Sequence, residues 1–200
     1  MKNINLKVYS FEELSKDAQK AVVENNRDAI GDGIFDCWIG DFINEQQGEL
    51  DKKGFTDARL HYSISLGQGD YVQLSSSAID LKALKKAGIY DYTKAIKKHT
   101  AHVKFFKAIV LDYARFYTSD YKVDDISHKE NAYNTLDLIA HDISEGLEKV
   151  ISDIEQDLYY KVRNIFLDAY DDKTIADSLA EGDNLYFADG TEYDDAMKIA

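Results

Sequence analysis

Asp137, His141 and Glu145 recur every four residues, a spacing that could put metal-binding side chains on one helix face. At 1.5 Å per residue the outer two stand about 12 Å apart, so only neighbours could share an ion. No second helix offers the matching His/Glu pair of a di-iron bundle, and a solvated helix face accounts for the spacing. His99 and His102, beside Lys97 and Lys98, have the separation of a nucleophile-activating pair, but no Ser or Cys is poised for them. The turn Gly67-Gln68-Gly69-Asp70 could cradle an anion through backbone amides, although Asp70 would oppose it, which favours a structural role. Cys37, the only cysteine, can form neither an internal disulfide nor a thiolate-rich zinc site. Its apolar neighbours in Ile34-Phe35-Asp36-Cys37-Trp38-Ile39 suggest a buried, inert thiol. The expectation is a non-enzymatic chain with no metal or cofactor.

The carboxylates are the stronger signal. The chain holds 37 Asp and Glu against 24 Lys and Arg, a net charge of −13. Residues 1–100 carry 15 acidic and 14 basic groups, a net of −1, whereas residues 101–200 carry 22 and 10, a net of −12. Such a chain repels phosphate backbones, which argues against direct nucleic-acid binding and for a basic protein partner. Two readings of the acidic half stay open. The carboxylates keep the chain solvated, or they imitate nucleic acid, whose duplex places one charge per roughly 1.7 Å of axis. The second reading nominates Asp153, Glu155, Asp157, Tyr160, Asp168, Asp171, Asp172, Asp177, Glu181, Asp183, Asp189, Glu192, Asp194 and Asp195 as partner-binding residues. Tyr159, Tyr170, Tyr186 and Tyr193 would add packed contacts that charge alone cannot supply. A basic stretch, Lys82 to Lys107, reads more simply as a surface that pairs with the acidic half than as a nucleic-acid patch.

Positioning these groups falls to one dominant helix. Leu136, Ile139, Ile143, Leu147, Ile151, Ile154, Leu158, Val162 and Ile165 fall at three- and four-residue steps, predicting an amphipathic helix over 129–172. Unbroken, it would run about 60 Å; a bend at Gly146 is the alternative. It could also pair with its copy in a homodimer. Upstream, Ser10-Phe11-Glu12-Glu13 has capping-box form and predicts a helix to about Ile30, stopped by Gly31-Asp32-Gly33. A second helix then runs to about Gly54, with Trp38 as a core anchor. Residues 59–66 and 71–74 alternate around the glycine turn and predict a β-hairpin. A short helix spans Asp80 to Ala87, and Val103 to Tyr121 predicts further strand. After Asp172 come a short helix and an acidic hairpin turning at Asp189-Gly190.

The fold class expected is α+β: one domain over 1–200, with an antiparallel sheet of four to five strands, two N-terminal helices and one long helix. Nothing reaches the roughly 18 apolar residues of a membrane span, and the start lacks the apolar core of a signal peptide, so the expected home is cytosol. Proline is absent throughout, against a usual share of roughly 5%, which removes proline-rich linkers and cis-proline turns.

Three motifs occur in a recognisable order: Tyr9-Ser10-Phe11-Glu12-Glu13-Leu14-Ser15, the Ser65-Leu66-Gly67-Gln68-Gly69-Asp70 hairpin, and the ending from Lys173 to Tyr193. Together they resemble a phage and mobile-element family loosely labelled "antitoxin of toxin–antitoxin stability system". Tyr71 stands where the family pattern has glycine. The resemblance implies a small accessory protein of a phage or plasmid and transfers no catalytic residue. With the charge pattern, it leads to the expectation of an inhibitor of a host defence effector, a CRISPR nuclease or restriction enzyme, acting on a basic nucleic-acid-binding surface. An antitoxin that neutralises a co-encoded toxin is the alternative, and a metal-dependent or hydrolytic enzyme a third.

Overall fold

The computed structural model describes residues 7–65, 67–99 and 130–193. The predicted strand at Val103–Tyr121, His102, Asp194 and Asp195 lie outside the described residues, as does the side chain of His99. The architecture mixes helix with a small amount of antiparallel sheet, in agreement with the α+β expectation at that level. The elements are α1 (Lys16–Lys53), β1 (Phe55–Thr56), β2 (Arg59–Ser63), β3 (Tyr71–Ser75), β4 (Ala78–Ile79), α2 (Leu81–Lys86), α3 (Thr93–His99), α4 (Glu130–Ala169) and α5 (Asp172–Glu181). They fall into two compact units, Met1–Asp41 with Val162–Ala200 (unit 1) and Phe42–Lys161 (unit 2).

Unit 1 is built on a cluster of Phe11, Leu14, Ala18, Val22, Val23, Ile175, Leu179 and Tyr186. The capping box forms as read, with Glu13 accepting from the Ser10 amide at 3.0 Å, but it heads only a 3-10 turn at Phe11–Glu13. Ser15 then accepts from Ala18 N and starts α1. The two predicted N-terminal helices are one 38-residue helix, because Gly31-Asp32-Gly33 does not stop it. The Tyr170 ring lies on Gly31, within 2.9 to 3.0 Å of where a Cβ would stand. That ring stacks on Phe166 at 4.4 Å, and Phe166 meets Phe35 edge-on at 5.2 Å. Packing over the glycine offsets the roughly 1 kcal/mol that each glycine costs a helix. Two side-chain expectations also fail here. Cys37 is exposed and Trp38 is 42% exposed, since Phe35 and Ile39 take the inward positions of that turn.

The terminal hairpin of unit 1 is a pair of bridges, Tyr9 with Tyr186 and Tyr186 with Glu192. Its turn uses Gly190 at φ +89, close enough to α1 that a Cβ would meet Val22 at 2.9 Å. Asp171 caps α5 by accepting from Lys173 N at 2.9 Å.

Unit 2 contains two two-stranded antiparallel sheets among the described residues, β1 with β4 and β2 with β3, rather than one sheet of four or five strands. The predicted hairpin has Arg59 opposite Ser75 and Ser63 opposite Tyr71. Its turn is fastened by Asp70, whose carboxylate accepts from both the amide and the hydroxyl of Ser65. β1 and β4 separate from that ladder where Asp57 adopts φ +52 and Ser77 N donates to Thr56 O at 2.9 Å, while Gly54 at φ +109 turns the chain from α1 into β1, with Ala83 close to where a Cβ would stand. Asp80 caps α2 by accepting from Lys82 N and Ala83 N. α4 occupies the predicted span and is helical without interruption through Gly146. Tyr90 lies against that glycine, and its hydroxyl donates to the carbonyls of Ile143 and Asp142 at 3.3 and 3.4 Å.

Candidate partner-binding surface

Charge divides sharply between the units. Unit 1 has 18 acidic and 8 basic residues, a net of −10 in 80 positions; the other 120 have 19 and 16, a net of −3. The nominated residues divide as well. Asp168, Asp171, Asp172, Asp177, Glu181, Asp183, Asp189 and Glu192 belong to unit 1, and each of these is exposed. Asp153, Glu155, Asp157 and Tyr160 belong to unit 2.

In unit 2 the nominated acids sit in mixed company. Asp153 and Asp157 line a groove of about 300 Å³ with Lys53, Lys161 and the apolar Leu50, Ile154 and Leu158. Asp157 pairs with Lys161 at 2.7 Å. Glu155 is committed to structure, accepting from Leu74 N on β3 at 2.9 Å. Tyr160 is 53% exposed and meets Tyr159 edge-on at 5.5 Å. The basic middle stretch also spends charge locally, Lys98 on Asp142 at 2.7 Å and Lys85 on Asp91 at 3.0 Å. Hydrogen bonds from Thr93 and Lys85 hold the Asp91 carboxyl at about 2.

Unit 1 is different. Asp172 pairs with Arg27 at 2.5 Å and Asp177 with Lys173, yet both carboxylates stay largely exposed. Asp189 tightens its own turn by accepting from Thr191 N at 2.9 Å, and that bond holds its carboxyl below the usual range. Arg27 also donates to the Tyr170 carbonyl at 2.9 Å, fixing the residue that follows α4 to α1. Its bonds to Asp172 and then Glu24 raise the guanidinium further above its already high value. Tyr186, expected as a contact residue, is instead buried in the core.

A second acidic row was not among the nominated residues. Asp28, Asp32 and Asp36 are exposed on successive turns of α1, about 6 Å apart along its axis. The Tyr170 hydroxyl donates to Asp32. Burial first, then that bond and the charges of Asp32, Asp28 and Asp36, push the tyrosine up to about 12. The neutral phenol is thus the form that fits beside this row. Its i, i+4, i+8 spacing was visible in the sequence, but a helix stopped at Gly31 conceals it. Duplex DNA carries one charge per 3.4 Å along each strand, so the row is about half as dense.

Among the described residues no group of three or more His, Cys, Asp or Glu is placed to hold a metal. His141 and Glu145 approach at 3.4 Å as an exposed helical pair. Among them, too, no helix is long and apolar enough to cross a membrane. No family model, curated protein or solved structure matches the chain.

Proposed function

We propose that this chain is a non-enzymatic interaction protein whose unit 1 presents a nucleic-acid-like negative surface to a basic protein. The target class we propose is a nucleic-acid-binding defence effector of a host, a CRISPR nuclease or restriction enzyme, with the chain acting as a phage or mobile-element inhibitor in the host cytosol. The phage assignment rests on the motif resemblance. The mechanism rests on one observation, the concentration of −10 of the net charge in unit 1, with acids on α1, α5 and the terminal turn. A basic groove shaped for nucleic acid would be steered onto such a surface and blocked by it, with an on-rate that falls as salt rises.

The experiment is capture of host proteins on the immobilised full chain at low and high salt, with excess duplex DNA as competitor. A nucleic-acid-binding effector should bind at low salt and be released by salt or by DNA. Replacing Asp28, Asp32 and Asp36 together by Asn should weaken that capture by roughly tenfold or more. Capture of such an effector that neither salt nor DNA disturbs would overturn the mimicry, as would no capture at all.

A further inference from the structure

Around the last turn of unit 1 the register decides which side chains face outward. Tyr193 N donates to Leu185 O at 2.7 Å and Phe187 N to Thr191 O at 2.8 Å. Between them Tyr186 exchanges both backbone bonds with Tyr9, at 2.8 and 2.9 Å. The middle residue therefore has strands on both sides, and its side chain goes to the core, where it is 1% exposed. Alternation along an extended strand then sends Leu185 and Phe187 to the opposite face. The Phe187 ring meets Tyr193 edge-on at 5.7 Å, which places a third apolar group on that face. Leu185 is 40% exposed and Phe187 half-buried. Glu181, Asp183, Asp189 and Glu192 are all exposed within seven residues of Leu185 along the chain.

An apolar facet set in a strongly acidic unit calls for a particular partner. A lone outward leucine is ordinary on a protein surface, but here it stands beside an aromatic pair and among carboxylates, a combination that offers an apolar and an electrostatic contact together. We propose that Leu185 and Phe187 form the central contact of the partner-binding surface, seating in an apolar hollow ringed by Lys and Arg on the partner protein. This deepens the proposed function and rests on it. Charge complementarity selects the basic partner, and the desolvated side chain at the centre adds a contribution that salt does not screen, too small to hold the partner once the charge attraction is lost.

The test uses a displayed random peptide library selected on the immobilised full chain. The wild type should enrich peptides with Lys or Arg on both sides of a large apolar residue. One such peptide should bind Leu185→Ser roughly tenfold more weakly at low and high salt alike, while Asp183→Asn should weaken it only at low salt. Leu185 is exposed, so circular dichroism should show both variants folded. Basic peptides enriched without an apolar preference, or equal binding by Leu185→Ser, would overturn the facet and leave the charge mechanism standing. No basic enrichment would overturn both. Self-association abolished by Leu185→Ser, without peptide enrichment, would assign the facet to a second copy of the chain and overturn the proposal.

Discussion

Gly31 and Gly146 each lie inside a long helix, and each receives a tyrosine, yet the two seats are made differently. At Gly31 the body of the Tyr170 ring lies on the helix, with Cγ, Cδ1 and Cε1 nearest. At Gly146 only the tip of Tyr90 is near, and it is nearer: a Cβ would stand 2.3 Å from Oη and 2.5 Å from Cε2. The hydroxyls end differently too. That of Tyr170 reaches the carboxylate of Asp32, and that of Tyr90 reaches two backbone carbonyls at long range. One seat joins a helix to the acidic row; the other only fills a gap. A glycine inside a helix can thus mark a docking point for an aromatic ring, and what the ring carries at its far end decides whether the contact is electrostatic or steric.

The largest effect should come from Gly146→Ala. Its methyl must expel the Tyr90 tip, and we expect a net loss of about 2 kcal/mol after the alanine's gain in helix propensity of about 1 kcal/mol. Denaturant unfolding measures it, and with Tyr90→Ala also present the same substitution should become stabilising. Next comes Tyr170→Phe, which removes the donor to Asp32 and should cost about 1 kcal/mol at neutral pH. Its pH dependence is diagnostic. An unfolded tyrosine ionises near 10 and the folded one at about 12, so stability is intact below pH 10 and falls as pH rises through that window. The variant should lose that part of the slope. Gly31→Ala should cost about 1 kcal/mol net of the alanine's gain in helix propensity, because 2.9 Å is closer than a Cβ tolerates and the body of the stacked Tyr170 ring must give way. Smallest is Tyr90→Phe, about 0.5 kcal/mol or less, since its hydroxyl bonds are long. If Gly31→Ala proved costlier than Gly146→Ala, the contrast between a seated ring and an intruding tip would be wrong.

The sequence was most legible where chemistry is local. The Ser10–Glu13 capping box, the hairpin around Gly69 and the turn at Asp189-Gly190 each depend on residues within a few positions of one another. The periodicity of α4 was equally plain, because nine apolar residues keep one phase over 30 positions. What failed depended on contacts distant in sequence. Gly31-Asp32-Gly33 reads as a stop until Tyr170, 139 positions later, covers it. Trp38 and Cys37 look like core beside Phe35 and Ile39, yet which side of the turn faces inward is set by Phe166. The acidic character of the surface followed from composition, but one row of it and one committed carboxylate did not show in the sequence. The helix cut at Gly31 hid Asp28, Asp32 and Asp36, and Glu155 looked free because its acceptor role lies on a strand 81 residues away.

That last bond has a consequence for how the chain behaves in company. β3 belongs to a two-stranded ladder, so its outer side would otherwise show a bare amide to any passing extended segment. The carboxylate of Glu155 holds the Leu74 amide and acts as a bolt against strand addition. Glu155→Gln keeps an acceptor in place and should stay dispersed, whereas Glu155→Ala should open the edge and make the hairpin a seed for clumping at high concentration.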